Sequence, residues 1–311
     1  MGNGVYAYLQ PDGSRGWSNA GLVVDGDQSM LVDTLFDLKL TETMLREMRQ
    51  ATTAAEQMNT LVNTHANGDH CWGNQLVEGA EIVTSRSSAE EMAEVLAAML
   101  AQAMQMAPNM GPMGEYILRI FGDFDFDGIE PVAPTRTFDG ELTMQVGDKE
   151  VRLIEVGPAH TRGDILVCLP QDRVIFTGDI LFINGHPIVW AGPVDNWIKA
   201  CDRIIDMDVD VIVPGHGPIT DKQGVAQVKG YLTYISAEAR QHYDAGLSAM
   251  EAAKAIALDA YASWTDAERI VVNVHTLYRE FSNDSSPVDF MWGCLAKWPC
   301  WPRPNSPVGV R

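Results

Sequence analysis

Histidine and aspartate recur in this chain where apolar runs break into turns, and that arrangement constrains the fold more than any other feature. Leu61-Val62 runs into Thr64-His65-Ala66-Asn67-Gly68-Asp69-His70, two imidazoles and a carboxylate within six residues. Three later segments repeat the pattern with one ligand-type side chain each: Gly157-Pro158-Ala159-His160, Phe176-Thr177-Gly178-Asp179 and Pro214-Gly215-His216-Gly217. Imidazole nitrogens and carboxylate oxygens at strand ends are what a protein offers a metal ion. Taken singly, each could be an ordinary polar turn residue. Four of the seven histidines fall on these positions, which favours the metal reading.

Between these segments the first half has a βα rhythm. Strands are expected at Ala20 to Val24 and Ser29 to Asp33, a helix at Thr41 to Ala55, then the strand delivering His65 and another at Glu81 to Thr84. Residues 88–120 are rich in Ala and Met and read as helix. Pro108, Gly111, Pro112 and Gly114 break it, which predicts a lid or a bent helical pair. Strands return at Leu142 to Val146, Glu150 to Val156, Asp164 to Leu169, Arg173 to Phe176 and Val209 to Val213, with a helix at Asn196 to Met207. Two similar halves are implied, each ending strands at one edge.

Beyond Thr220 the pattern is helical. Tyr231 to Tyr243 reads as helix, and Ser248-Ala249-Met250-Glu251 and Thr265-Asp266-Ala267-Glu268 both match a capping box. The last helix carries Ile270, Val271, Val274, Leu277, Tyr278 and Phe281 at helical spacing, so its apolar face is expected to pack across the core. The tail after Ser282, with Trp292, Trp298, Trp301 and several prolines, reads as an irregular arm. The expected division is a catalytic domain over 1–220, with a helical lid-like insertion at about 88–128, and a helical extension with its tail over 221–311.

A formal net charge of −20 argues against nucleic-acid phosphates, anionic membrane surfaces and polyanionic substrates as partners, leaving a small-molecule substrate. No apolar run approaches the roughly 20 residues that span a bilayer. Met1-Gly2-Asn3-Gly4 opens neither a basic n-region nor an apolar signal core, so a cytoplasmic location is expected. Cys71, Cys168, Cys201, Cys294 and Cys300 are odd in number and irregular in spacing, which suits reduced thiols. Cys294 and Cys300 are the pair that an oxidising setting would join.

The order and spacing of the four segments resemble the metallo-β-lactamase superfamily of metallohydrolases, over roughly residues 5 to 220. Its signature is His-x-His-x-Asp-His, then a distant His, a bridging Asp or Cys, and a final His. The resemblance implies an α/β fold, an αββα four-layer sandwich with two sheets face to face and helices outside, here carrying a helical C-terminal extension. It implies Zn(2+), one or two per chain. The first metal would take His65 and His160, the second Asp69, His70 and His216, with Asp179 bridging. Asn67 stands where a third imidazole normally sits, and its neutral amide oxygen is the weaker donor, so the first site is expected to bind less tightly.

The implied chemistry is hydrolysis of an ester, thioester, lactone or lactam carbonyl by metal-activated water, with Asp69 orienting the nucleophile or shuttling its proton. The negative charge makes the superfamily's nucleases poor candidates. Two alternatives stand beside this reading. The superfamily's persulfide dioxygenases hold a single Fe(2+) with the equivalents of His65, His160 and Asp179, a set that does not require position 67. A non-catalytic metal- or ligand-binding module is the other, hinted at by Asn67 alone, whereas Asp69 and Asp179 are retained.

Several residues outside the motifs are candidates for the substrate pocket. His186 and Trp190 follow Asp179 closely, in a loop placed to wall the site. His275 and Tyr278 lie beside the apolar stripe of the last helix, where the core is their expected place. Cys71 is expected to pack as a small hydrophobe. Met92, Met99, Met104, Met106, Met110 and Met113 are expected in the helix core, with a pocket for an apolar substrate as the alternative.

Overall fold

Adjacent apolar residues on the early strands face opposite ways and bury against different layers. Val23, Met30, Val32, Val62 and Val83 pack between two sheets, while Leu22, Leu31, Leu61 and Ile82 face the helical layer outside. A strand buried on both faces needs this unbroken apolar run. The structure, a computed structural model, describes residues 2–94 and 97–284. The tryptophan-rich arm and the Cys294 and Cys300 pairing lie outside the described residues.

The first sheet holds β1 (Val5–Tyr8), β2 (Ala20–Asp25), β3 (Gln28–Val32), β4 (Thr60–Val62), β5 (Glu81–Ser85) and β6 (Arg136–Phe138), in that order. β1, β2 and β3 pair antiparallel, and β3 through β6 pair parallel. The second sheet holds β7 (Glu141–Val146), β8 (Lys149–Glu155), β9 (Ile165–Leu169), β10 (Val174–Phe176) and β11 (Val211–Val213), in the order β11-β10-β9-β8-β7. Only β10 and β11 are parallel neighbours there. Leu153, Ile165, Val167, Leu169, Val174, Phe176 and Val213 supply this sheet's half of the middle layer.

The helices are α1 (Leu38–Ala51), α2 (Gly68–Cys71), α3 (Arg86–Met92), α4 (Ala97–Met106), α5 (Pro112–Phe121), α6 (Val194–Asp206), α7 (Lys222–Asp244), α8 (Ala249–Ala255) and α9 (Ile270–Ser282). α1 covers the outer face of the first sheet through Met44, Leu45 and Met48. The second sheet is covered by α6 through α9, with Trp197, Tyr231, Leu232, Ile235, Val274 and Leu277 in one core. The result is an αββα sandwich with a helical C-terminal region.

Some local readings are corrected. α1 starts three residues earlier than its apolar pattern, because the Asp37 carboxylate caps the Leu40 amide at 2.7 Å; it stops at Ala51, where Thr52 turns extended. β1 and β6 were not expected; they are the short outer strands of their sheet, and only Phe138 of β6 is buried. The Ser248 capping box forms, but the one at Thr265 does not. Asp266 there is left-handed, at φ 58°, and Thr265 bonds through its backbone to Asn184 and His186 instead. Met99 and Met106 are exposed rather than in a helix core, and Met92 lines a cavity of about 320 Å³ with Cys71 and Trp72.

Gly21 on β2 sits against Phe176 of the opposite sheet, and a Cβ there would overlap its ring. Gly21→Ala is expected to destabilise the chain by about 1–3 kcal/mol, the usual penalty for overpacking a filled core, read from urea unfolding midpoints at constant m-value.

Candidate metal centre

Strand ends from both sheets meet at one edge of the sandwich. β4 runs out into His65, β10 into Asp179 and β11 into His216, while the turn before β9 carries His160. The Ile165 amide donates to the Thr64 carbonyl at 2.9 Å and ties the two sheets together beside the site. Gly215 is required there, because a Cβ would overlap the Asp179 carboxylate.

Four candidate imidazoles converge on that carboxylate. Asp179 Oδ2 lies 3.3 Å from His160 Nε2, 3.4 Å from His216 Nε2 and 3.6 Å from His65 Nε2, and its Oδ1 lies 3.0 Å from His70 Nε2. Asp69 Oδ2 sits 3.3 Å from His216 Nε2. Two groups of donor atoms come within metal-binding reach of one another: His65, His70 and Asp179, and Asp69, His70 and His216. His65 Nε2 is buried without a hydrogen-bond partner, an expensive state unless a cation answers it, and His70 Nε2 and Asp179 Oδ1 have only each other. The donor set fits a divalent cation.

Burial disfavours charge on every imidazole, and the neighbours decide which of them resist. His65 falls well below its ordinary value, and burial takes His160 to about 4. Burial also opposes charge on His216, but Asp179 and Asp69 outweigh it and hold this ring at about 9. His70 is raised well above its ordinary value despite burial, with Asp179 and Asp33 beside it. Protons thus stand where a cation would.

Each ring is steered from its far side. His160 Nδ1 donates to the Ile188 carbonyl at 2.7 Å, which leaves Nε2 as an acceptor, and the Asn67 amide donates to that Nε2 at 2.9 Å. His70 Nδ1 faces Asp33 Oδ2 at 2.9 Å, and Asp33 also accepts from the Thr64 amide and hydroxyl, both at 2.7 Å. Such carboxylate–histidine pairs set ring orientation in metal sites. Phe182 stacks on His216 with 5.0 Å between ring centroids, and Trp197 packs against His160 while donating to the Ile180 carbonyl. Asn19 holds the His216 turn by donating to the Pro214 and Gly217 carbonyls, at 3.0 and 2.8 Å.

The outer candidates divide. Trp190 runs alongside His160, its amide donating to the His160 carbonyl at 3.1 Å. His186 is fully buried against Tyr231 and Trp264, with Nε2 3.1 Å from the Tyr261 carbonyl. Tyr278 packs on Tyr243 and Phe281, and His275 is half-buried on α9. Neither close-packed donor group among the described residues includes His186 or His275. Cys71 is buried, its thiol pushed up by burial and turned to the Asn67 carbonyl at 3.3 Å. Asp33 went unrecognised at the sequence level. Its signal was present, since it closes the apolar run Met30-Leu31-Val32 as Asp179 closes its own.

A family profile described as the metallo-beta-lactamase superfamily matches residues 14–216, and the chain belongs to that superfamily. Among curated relatives, the 2,4-dinitroanisole O-demethylase subunit alpha of Nocardioides sp. is 25% identical over 198 residues, 63% of this chain and 51% of its own length. The linear primary-alkylsulfatase of Pseudomonas sp. is 23% identical over 258 residues, 74% of this chain and 48% of its own. The chain therefore spans about half the length of these relatives. Among solved structures, the stereoselective inverting sec-alkylsulfatase from Pseudomonas sp. superposes with a TM-score of 0.67 at 15% identity, covering 93% of this chain and 51% of that one. At that identity the likeness is one of fold.

Two outcomes follow from this geometry. Loading a divalent cation near neutral pH is expected to release protons from His70 and His216, so apparent affinity should strengthen as pH rises toward the value of about 9 held by His216. Calorimetry in buffers of differing ionisation enthalpy counts those protons. Asp33→Asn is expected to weaken zinc binding by about 10- to 100-fold while the fold persists, measured by chelator competition.

Proposed function

We propose that this chain is a metal-dependent hydrolase that cleaves a small-molecule ester, sulfate esters included, with thioester, lactone and lactam carbonyls as related targets. The observation that carries the reading is the buried cluster of His65, Asp69, His70, Asp179 and His216, whose donor atoms form two groups within metal-binding reach, with His160 3.3 Å from Asp179 beside them. The superfamily membership and the alkylsulfatase relative point to the same class of reaction. When bound, a divalent cation supplies a lowered pKa for water and Lewis-acid polarisation of a substrate oxygen.

The chain's own residues divide the remaining work. Asp179 belongs to the first donor group, lies 3.4 Å from His216 of the second, and holds charge among four imidazoles. Asp69 is held below the usual carboxylate range, because His70 and His216 outweigh its burial, so it is ionised and able to accept a hydrogen bond from the nucleophile. Its side chain is 13% exposed, against 3% or less for the other five, so Asp69 faces the approach from solvent and orients the nucleophile there. His65, kept neutral by burial, presents a bare Nε2, and His160, neutral for the same reason, turns its Nε2 to the Asn67 amide. The Asn67 amide occupies the space beside His160 Nε2 and makes that half the weaker binder.

The iron-dependent oxygenase reading uses His65, His160 and Asp179 alone. The second donor group of Asp69, His70 and His216 favours hydrolysis over it.

Elemental analysis of protein purified without added metal is expected to find one zinc per chain, rising to two in Asn67→His. Asp69→Ala is expected to lower kcat on a panel of sulfate and carboxylic esters by about 10²- to 10⁴-fold, with the thermal midpoint little changed. Iron in the purified protein together with oxygen consumption in the presence of thiols would overturn the hydrolase reading. Full ligand retention by a protein without turnover would make it a binding module.

A further inference from the structure

The hydrolase reading leaves unexplained a row of polar residues that starts at Arg269, just before α9, and runs along that helix. Arg269, Asn273, Thr276 and Glu280 are spaced by four, three and four, which sets them along one side of a helix. Arg269, Asn273 and Thr276 are 3%, 0% and 4% exposed, an unusual burial for such residues unless their bonds are specific. Each bond reaches the backbone of the loop that follows Asp179. Arg269 Nη1 donates to the His186 carbonyl at 2.8 Å and Asn273 Nδ2 to the Pro187 carbonyl at 2.8 Å. Asn273 Oδ1 accepts the Val189 amide at 2.8 Å, and the Thr276 hydroxyl donates to the Val189 carbonyl at 2.9 Å. Glu280 accepts the Val194 amide at 3.2 Å.

One carbonyl in this stretch is passed over by the helix. It is that of Ile188, flanked on both sides by groups that Asn273 holds, and it accepts from His160 Nδ1. A carbonyl only accepts, so this bond puts the ring proton on Nδ1 and leaves Nε2 as the acceptor, which the Asn67 amide faces at 2.9 Å and a cation would have to claim from it.

We propose that Asn273, assisted by Thr276, is a positioning residue for His160: through the 187–189 backbone it fixes the tautomer and orientation of that imidazole. The proposal rests on the metal-site reading of His160. It makes the C-terminal helices part of the site and not only its cover. Asn273 suits the task because one amide supplies both the acceptor for Val189 and the donor for Pro187. A third bond, from its Nδ2 to the Tyr231 hydroxyl at 3.2 Å, fixes the amide's own rotamer.

The test reads the ring directly in the metal-free full chain. Long-range ¹H–¹⁵N spectra of histidine-labelled protein, with the His160 signals assigned by their loss in His160→Gln, are expected to show the Nδ1–H form alone. In Asn273→Ala and Thr276→Val, His160 should become a mixture of tautomers, while His70, held by Asp33, keeps its native signals. Zinc affinity by chelator competition should fall about tenfold or more. Thr276→Ser, which retains the hydroxyl, should restore both readouts. Should Asn273→Ala fail to fold, the Thr276 pair decides the matter. Variants that lose thermal stability yet keep the native His160 signals and zinc affinity would overturn the proposal. Absence of turnover in the zinc-loaded native protein would remove the hydrolase reading and leave this result standing, because the tautomer is read without metal.

Discussion

A carboxylate buried among four imidazoles is the constraint around which this molecule is arranged. Asp179 is almost without solvent, and a charge taken that far out of water persists only where opposite charge or hydrogen bonds answer it. The answer here is partly protonic, through His70 and His216, and it leaves His65 Nε2 without a partner. Such an arrangement is poor for stability taken alone and good for holding a divalent ion. The sandwich exists to make it affordable: two sheets whose shared apolar layer closes on one side of the site, with strand ends from both delivering the donors.

That architecture separates stability from chemistry along each strand. Val62, Phe176 and Val213 are the last core residues before the chain leaves the sheet for His65, Asp179 and His216. The donors are therefore rigidly based while their tips lie in turns, where a close approach such as that of Gly215 to Asp179 is feasible. The supporting shell comes from farther away. Asp33 leaves β3 to hold His70, Asn19 precedes β2 to hold the His216 turn, and the 187–189 backbone holds His160.

Much of the scaffold is legible in the sequence because it is periodic. The alternation of buried faces in β2 through β5, the apolar stripe of α9 and the ligand-type residues at strand ends are all local patterns, and the superfamily resemblance orders them into layers. Interactions between segments distant in sequence were not legible. Asp33 and His70 are 37 residues apart and Asn273 acts on a loop 84 residues earlier; neither pairing leaves a trace in any short window. His186 illustrates the opposite difficulty. A histidine in a loop after a ligand strand resembles a pocket residue, yet here it is wedged between Tyr231 and Trp264 as a buried aromatic. β1 and β6 escaped notice because short outer strands bury too little to leave a pattern.

The clamps by Asn19 and Asn273 bind the site from near both ends of the described chain. Bringing together groups so distant in sequence carries a loop-closure penalty that must be met before the contacts reward it. During synthesis the strand ends can form while α9 is still unmade, but the imidazole of His160 has no fixed Ile188 carbonyl to lean on until residues 273 and 276 have emerged and docked. The His160 part of the donor cluster thus matures late, after α9 has docked, and a chain lacking that helix would hold this imidazole more loosely.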